Sequence, residues 1–160
     1  MTSAIDLDAL DAKIVLALDD DPDTALLTVA HRLGVSRNTV NARLKRMEAS
    51  GLFLGFSQRL SLSVLGHPLL AFMSLEIAQD HGDRATAGLE EIPEVVEVHA
   101  TTGDADLLVM IAARDADDLY RVTNEILDIP GITRSSTAIS LSQRMPRRTR
   151  ALVERIAEGG

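Results

Sequence analysis

The hydrophobic residues of this 160-residue chain follow two different periodicities, one on each side of residues 61–68. Before that segment, apolar residues recur at steps of three and four, as Leu7, Leu10 and Ile14 do, which is the spacing of an amphipathic helix. After it, alternating or continuously apolar runs typical of strands lie between helical stretches. Because the segment itself contains glycine, proline and serines, we predict two small domains joined by a linker over 61–68.

The first domain, over residues 1–60, is predicted to be a winged helix-turn-helix. Three amphipathic helices are expected, with Gly34 at the end of the second and Ser36 as the cap of the third. Glycine tolerates the left-handed backbone that ends a helix, and serine accepts hydrogen bonds from the first N–H groups of the next. Two helices joined by such a short turn form the helix-turn-helix motif. Residues 52–60 alternate loosely between apolar and polar side chains, which predicts a short β wing.

The third predicted helix, which ends near Ala49, carries polar and basic side chains away from a buried stripe of Val40, Leu44 and Met47. The forked groups of Arg and Asn suit base edges in the major groove of DNA, and a capped helix N-terminus suits a phosphate. The candidate base-reading residues are Arg37, Asn38, Asn41 and Arg43. The candidate phosphate contacts are Ser36, Arg46, Arg59 and, more weakly, Lys45, and they are flanked by Thr39 and Ala42. The alternative is a helical hairpin that only packs.

Charge is distributed unevenly, and the distribution favours a nucleic-acid partner although the net charge is −8. Residues 31–60 hold six basic residues and one acidic residue, whereas residues 1–30 hold seven acids and one base. Residues 61–142 hold 14 acids and four bases. Salt screens surface charges beyond about 8–10 Å, so a basic block can bind phosphates within an acidic molecule.

The second domain, over residues 69–142, is predicted to have the element order β-α-β-β-α-β. Strands are expected at 70–78, 95–102, 107–113 and 132–141, and helices at 83–91 and 116–129. This order is typical of the ferredoxin-like fold, an antiparallel four-stranded sheet with two helices on one face. The chain is therefore predicted to be an α+β protein. Residues 143–160, with five bases and two acids, are predicted to form a basic C-terminal tail.

Composition excludes several classes of protein. The chain has no cysteine, which excludes disulfides, thiolate metal sites and cysteine nucleophiles. Its four aromatic residues are too few for a base-stacking platform. No apolar run approaches the roughly 20 residues of a membrane helix, and the acidic N-terminus lacks the features of a secretory signal. We therefore expect a cytoplasmic protein without a membrane partner.

An enzyme is the main alternative to a DNA-binding protein. His99, Asp104 and Asp106 lie near one predicted hairpin and are the best candidates for a metal site in a metabolite-binding or metal-dependent enzyme of ferredoxin-like fold. However, the sequence has no HxxxH or HExxH spacing, no nucleophile elbow and no GxGxxG loop. We therefore predict no enzymatic activity, no metal and no cofactor.

Several short motifs resemble the Lrp/AsnC (leucine-responsive, feast-famine) family of transcriptional regulators. In the first domain they are LDALDAKI (7–14), LGVS (33–36), VNARLKRME (40–48) and GL (51–52), and in the second they are TGDADLL (102–108) and IPGI (129–132). They lie in the family's order across about residues 6–142. The resemblance implies a cytoplasmic, sequence-specific DNA-binding regulator that dimerises through its C-terminal sheets and often assembles into an octamer. It also implies a palindromic operator.

The same resemblance implies a small-molecule effector, commonly an amino acid, bound between effector domains. By position in the motif, the effector site would use Thr101, Thr102, Gly103, Asp104 and Asp106, together with Thr133, Ser135 and Thr137 of a neighbouring subunit. Carboxylates suit an α-ammonium group, whereas backbone N–H groups and hydroxyls suit an α-carboxylate. Many family members have Tyr or Phe between the two loop acids, where this chain has Ala105.

Overall fold

A computed structural model describes residues 6–159 of the chain, which divide into two units. The first unit comprises residues 6–59 and 145–159, and the second comprises residues 60–144. No helix within the described range is long and apolar enough to cross a membrane.

The first unit is helical and is built around one apolar cluster. Its helices are α1 (Ala9–Asp20), α2 (Leu26–Leu33), α3 (Arg37–Ala49) and, from the end of the chain, α6 (Arg150–Ala157). The side chains of Ile14, Val29, Val40 and Met47 are at most 1% exposed. Burying such side chains contributes roughly 1.5–3 kcal/mol each, so this cluster fixes how α1, α2 and α3 pack.

Local capping sets the start of α1, the end of α2 and the start of α3, and the last two agree with the sequence prediction. The Asp8 carboxylate accepts from the N–H groups of Leu10 and Asp11, and the Asp11 carboxylate accepts from the Asp8 N–H, which completes a capping box. Gly34 ends α2 with φ 68°. Ser36 caps α3 by accepting from the Thr39 N–H at 3.0 Å. The helix-turn-helix prediction is confirmed.

The predicted short β wing over residues 52–60 is wrong. These residues form an irregular segment followed by a short 3₁₀ helix, Phe56–Arg59. The Gly55 N–H donates to the side-chain oxygen of Gln58 at 3.1 Å, and the Gln58 N–H donates back to the Gly55 carbonyl. These hydrogen bonds form within the segment itself. A β wing would instead need two strands that pair with each other.

Residues 145–159 belong to the first unit, whereas the sequence suggests a separate basic tail over 143–160. The Arg150 guanidinium lies 2.7 Å from the Asp19 carboxylate and 2.8 Å from that of Asp20. These acids lie at the C-terminal end of α1, where the helix dipole disfavours negative charge. Arg150 compensates for that charge, and the contact raises the pKa of Arg150 above its ordinary value.

The second unit has the predicted ferredoxin-like topology, which confirms the α+β fold class. The strands are β1 (Leu69–Ile77), β2 (Val95–Ala100), β3 (Leu107–Ala113) and β4 (Ile132–Ile139), and the helices are α4 (Gly82–Glu90) and α5 (Ala116–Leu127). All strand pairs are antiparallel, in the spatial order β2-β3-β1-β4.

The two faces of this sheet differ in burial. Met73 and Leu75 of β1 are fully buried in the core with Val122 and Ile126 of α5. The alternate residues of β1 point the other way, so Phe72 is 38% exposed. We call this second side the open face; along it, Leu70, Phe72, Leu108, Met110 and Ala138 form an apolar patch around the central strand pairs.

Candidate DNA-binding helix and effector site

The surface of α3 presents most of the predicted DNA-binding side chains to solvent. Exposed positions along it are Arg37, Asn38, Asn41, Ala42 and Lys45. Ser36 and Thr39 share a hydroxyl–hydroxyl hydrogen bond of 2.8 Å at the start of the helix. Arg59 lies outside α3, on the 3₁₀ helix, with its guanidinium 5.4 Å from the ring centre of Phe56.

Two arginines of α3 contact α1. Arg43 Nη1 donates to Asp8 Oδ2 at 2.5 Å and to Asp11 Oδ1 at 2.9 Å. The other arginine, Arg46, donates to Asp11 Oδ2. Asp11 is completely buried, and its negative charge is balanced by the guanidinium groups of these two arginines.

The contact between Asp8 and Arg43 shifts the pKa of both groups. The hydrogen bond from Arg43, together with the N–H group of Asp11, lowers the pKa of Asp8 from 3.8 to about 2. The two carboxylates in turn raise the pKa of Arg43. Asp8 is therefore ionised at neutral pH and keeps its contact with Arg43.

Sequence reasoning grouped Arg43 with the base readers and Arg46 with the phosphate contacts, without anticipating their ion pairs. The spacing of these residues in the sequence could have predicted the ion pairs. The two acids of α1 are three residues apart, as are the two arginines of α3. Residues three apart lie on the same face of a helix, so the two pairs match when the helices pack.

The open face of the sheet contains a surface cavity of about 550 Å³. Its lining residues are Ser74, Glu76, Asp104, Ala105, Arg134, Ser135 and Ser136. Two of the pairs across β1 and β4 lie here, Ser74 with Ser136 and Glu76 with Arg134. The Arg134 Nη1 atom lies 3.3 Å from Glu76 Oε1. The cavity therefore offers hydroxyl groups, carboxylates and one guanidinium.

Backbone hydrogen bonds hold the 101–106 loop over this cavity. The Asp106 N–H donates to the Leu75 carbonyl at 2.9 Å, and Asp106 Oδ2 accepts from the Ile77 N–H at 2.7 Å. The Thr101 hydroxyl donates to the Ala105 carbonyl at 2.8 Å. Among the described residues, no hydrogen bond or ion pair occupies the Asp104 carboxylate, which therefore remains available to a cationic group.

Of the predicted effector residues, the cavity of one chain brings together Asp104 and Ser135. Thr102 and Gly103 are exposed in the same loop, and Thr101 and Asp106 brace it. The Thr133 hydroxyl donates to the Glu76 carbonyl at 3.1 Å. Ser135 and Thr137 are paired with the core residues Leu75 and Met73, so their side chains point to the other side of the sheet, and Ser135 lines the cavity with its backbone.

Sequence reasoning missed four residues that line the cavity, Ser74, Glu76, Arg134 and Ser136. The signal for two of them was present in β1, where Ser74 and Glu76 interrupt a strand of otherwise apolar residues. Their cross-strand neighbours depend on the register of β1 with β4. That register joins residues about sixty positions apart in the sequence, and no local pattern sets it.

The potential metal ligands that the described residues group together are His67, Glu94 and Asp118, and not His99 with the loop acids, the candidates considered under the enzyme alternative. Arg114 and Arg121 both donate to the buried Asp118 carboxylate, and Arg121 also donates to Glu94. The Arg114 guanidinium holds the pKa of Asp118 well below its usual range. Two guanidinium groups already neutralise these carboxylates and repel a further cation.

A helix-turn-helix with a polar exposed helix, followed by a ferredoxin-like domain with a polar cavity, defines a DNA-binding transcriptional regulator that responds to a small molecule. Residues 7–48 match the AsnC-type helix-turn-helix domain, and residues 70–150 match the Lrp/AsnC ligand binding domain. The chain belongs to the Lrp/AsnC family of transcriptional regulators. It is a regulator and not an enzyme, as the sequence predicts.

Curated relatives and solved structures agree with this assignment. The HTH-type transcriptional regulator FL11 of Pyrococcus furiosus is 30% identical over 84% of this chain and 89% of its own length. The structure of E. coli AsnC is 30% identical, covers 91% of this chain and 99% of its own, and has a TM-score of 0.81. A regulator of Neisseria meningitidis solved with L-Met shares the fold, with 24% identity, a TM-score of 0.76 and coverage of 88% of this chain and 94% of its own.

Proposed function

We propose that the chain reads a palindromic operator through α3, as a homodimer or a larger assembly of dimers such as an octamer. The exposed side of α3 carries this proposal, because Arg37, Asn38 and Asn41 point to solvent within two turns of a capped N-terminus. Arginine and asparagine form bidentate hydrogen bonds with guanine and adenine respectively. Since DNA is the partner, we also propose a cytoplasmic location.

The remaining polar groups of this surface suit the phosphate backbone. Ser36 is at the helix N-terminus, where N–H groups and the helix dipole favour an anion. The cations of Lys45 and Arg59 are exposed, and within the described residues neither forms an ion pair. Phosphate contacts fix position and strength, whereas base contacts confer sequence preference. Thr39 and Ala42 flank the base-reading positions.

The open face of the sheet supports the proposal of a homodimer. Its apolar patch includes Phe72 and Met110, which are directly paired across β1 and β3, and Ala138 on the other side of Phe72. A polar rim of Glu97, His99 and the effector cavity borders the patch. An apolar centre with a polar rim is the usual anatomy of a protein interface, and two copies of the same patch are self-complementary by two-fold symmetry.

An amino acid is the proposed effector. The unoccupied Asp104 carboxylate suits the α-ammonium group, and the hydroxyls of Ser74 and Ser136 suit the α-carboxylate. The L-Met bound to the Neisseria meningitidis regulator is a ligand of this kind. Thr133, Ser135 and Thr137 of a neighbouring subunit would complete the site in an assembly. The effector then acts by binding one assembly more tightly than another.

Selection of bound fragments from genomic DNA with the purified full chain tests the DNA proposal. We expect a shared, imperfectly palindromic sequence whose half-sites are one or more helical turns apart. Repeating the selection with individual amino acids would identify an effector through a change in the recovered fragments. Recovery of fragments without any shared sequence would contradict the proposed function.

Replacing Asp104 with asparagine is expected to weaken amino-acid binding at least ~10-fold, because a charge-assisted hydrogen bond to the ammonium contributes about 1.5–3 kcal/mol. Isothermal titration calorimetry of the full chain with a panel of amino acids measures this change. Asp128→Asn removes an exposed acid of the same unit that does not line the cavity and serves as the control. Equal affinity for Asp104→Asn and the unmodified chain would contradict the assigned role.

A further inference from the structure

We propose that Asp8 and Asp11 are specificity-determining residues, which hold two arginines of α3 in ion pairs and thereby reduce binding to non-operator DNA. The arginines are Arg43 and Arg46, and the acids belong to α1. Neither acid would touch DNA in this arrangement; each acts through the arginine that it positions. The inference rests on the proposed function of α3 as the helix that reads DNA.

The carboxylates are held in place by the helix that bears them. Both Asp11 oxygens are engaged with guanidinium groups, Oδ1 with Arg43 at 2.9 Å and Oδ2 with Arg46, and the side chain is completely buried. Asp11 Oδ2 also accepts from the Asp8 N–H at 3.2 Å, and Asp8 Oδ1 accepts from two N–H groups at 2.9 Å. Because the capping box fixes both acids, neither is free to turn away from α3.

The ion pairs halve the positive charge that α3 offers to phosphates. The helix carries four basic residues, Arg37, Arg43, Lys45 and Arg46. Two of them are neutralised by α1, whereas Arg37 and Lys45 form no ion pair within the described part of the chain. Arg43 and Arg46 are nonetheless near the surface, with side chains 28% and 49% exposed. Released from α1, both long side chains can extend their guanidinium groups further into solvent.

The difference matters for specificity because the two modes of DNA binding depend on charge to different extents. Non-specific binding comes almost entirely from neutralising phosphates, and each phosphate contact contributes about 0.9 to the slope of log affinity against log salt. Specific binding adds base contacts that an extra cation does not strengthen. In an operator complex the base contacts fix the register of α3 and limit the phosphates within reach of Arg43 and Arg46, whereas a non-specific complex has no fixed register and a freed cation can find a phosphate. Holding both arginines in ion pairs therefore weakens non-specific binding more than operator binding.

The same contacts act together with the apolar cluster to set the rotation of α3. Arg43 and Arg46 both face α1, and this directs the helix sides bearing Arg37, Asn38 and Asn41 to solvent. A helix without these two contacts would be held mainly by Val40 and Met47 in the apolar cluster. Two acidic residues thus help to orient the helix that contacts DNA, although their own negative charge is repelled by the DNA phosphates.

The test compares Asp8→Asn with Asp6→Asn in the full chain. Asparagine caps a helix as well as aspartate does, so Asp8→Asn keeps the cap and removes only the charge that faces Arg43. Asp6→Asn makes the same change of net charge at an exposed residue that, among the described contacts, has no arginine partner. Binding to a selected operator fragment and to a scrambled duplex of equal length is measured over a range of salt concentrations.

We expect Asp8→Asn to bind the scrambled duplex several-fold more tightly at low salt and to steepen its salt slope by about one. Asp11→Asn, which releases Arg46 and leaves Arg43 paired with Asp8, is also expected to steepen the slope by about one if circular dichroism shows that it folds. The preference for the operator falls in both variants. Asp6→Asn is expected to retain the slope and the preference of the unmodified chain.

Each of the following outcomes would overturn the inference. If the acids only stabilise the fold, Asp8→Asn weakens binding to both duplexes by the same factor and leaves the salt slope unchanged. If net charge alone matters, Asp6→Asn and Asp8→Asn have equal effects. If the unmodified chain does not prefer the selected fragment, the proposed function fails and the inference fails with it. If the unmodified chain prefers the selected fragment but Asp8→Asn leaves the salt slope unchanged, the inference fails and the proposed function stands.

Discussion

Replacing Phe72 with aspartate is expected to convert the protein to monomers and to lower its operator affinity by at least ~100-fold, because two linked half-site contacts bind ~10²–10⁴ times more tightly than one. Phe72 lies at the centre of the open face, paired with Met110 on one side and Ala138 on the other. A carboxylate there would be buried without a partner in the dimer, which is costly. In the monomer the side chain is 38% exposed, so the fold tolerates the charge.

Sedimentation velocity and equilibrium DNA binding measure the two effects of Phe72→Asp. Tyr120→Asp is the matched control, because Tyr120 is an aromatic residue, 71% exposed, on α5 and away from the open face. We expect Tyr120→Asp to retain both the assembly and the affinity. If Phe72→Asp sedimented as the unmodified chain does, the open face would not be the dimer interface.

The second large effect is expected at Gly131, where alanine should lower the free energy of unfolding by about 3 kcal/mol or more. Gly131 has φ 102°, a conformation that L side chains rarely adopt. A Cβ atom there would lie 2.5 Å from the Cβ atom of His81. Its carbonyl accepts from the Ala78 N–H at 2.7 Å, so the turn cannot move without breaking the junction of β1 and β4.

Gly66→Ala separates the two causes of this loss. Gly66 also has a positive φ, of 88°, but an added Cβ atom would meet no atom within 4 Å. Chemical denaturation of both variants should therefore show a smaller loss for Gly66→Ala, from backbone strain alone. Equal losses would show that the contact with His81 contributes nothing and that strain explains the whole effect.

The sequence predicts the elements of the fold well because the patterns that define them are local. The bounds of β3, Leu107–Ala113, agree with the apolar run in the sequence, and Gly34 and Ser36 mark the end of α2 and the start of α3. The β wing was wrong because a strand depends on a partner strand, and alternation over a few residues does not supply one. Local hydrogen bonds at Gly55 and Gln58 satisfy that segment instead.

Contacts between distant residues explain what the sequence did not predict at the two sites. Arg43 and Asp11 are 32 residues apart, and Arg150 and Asp19 are 131 residues apart. Considered within its own helix alone, Arg43 is a base-reading candidate, Asp11 is part of a capping box, Arg150 is a charge of the C-terminal tail and Asp19 is an acid near the end of α1. The same limitation applies to the effector cavity, where Arg134 joins Glu76 only through the register of two strands.

The sequence preference of an Asn41→Ala variant tests the central claim, that the exposed side of α3 reads bases. Equilibrium affinities are measured for the selected operator and for a series of operators with one base pair changed at a time. For the unmodified chain, a change at a contacted position is expected to cost about 1–3 kcal/mol. In Asn41→Ala the cost at one position should disappear while the costs at other positions remain. Uniform weakening on every sequence, with all position costs unchanged, would contradict the account.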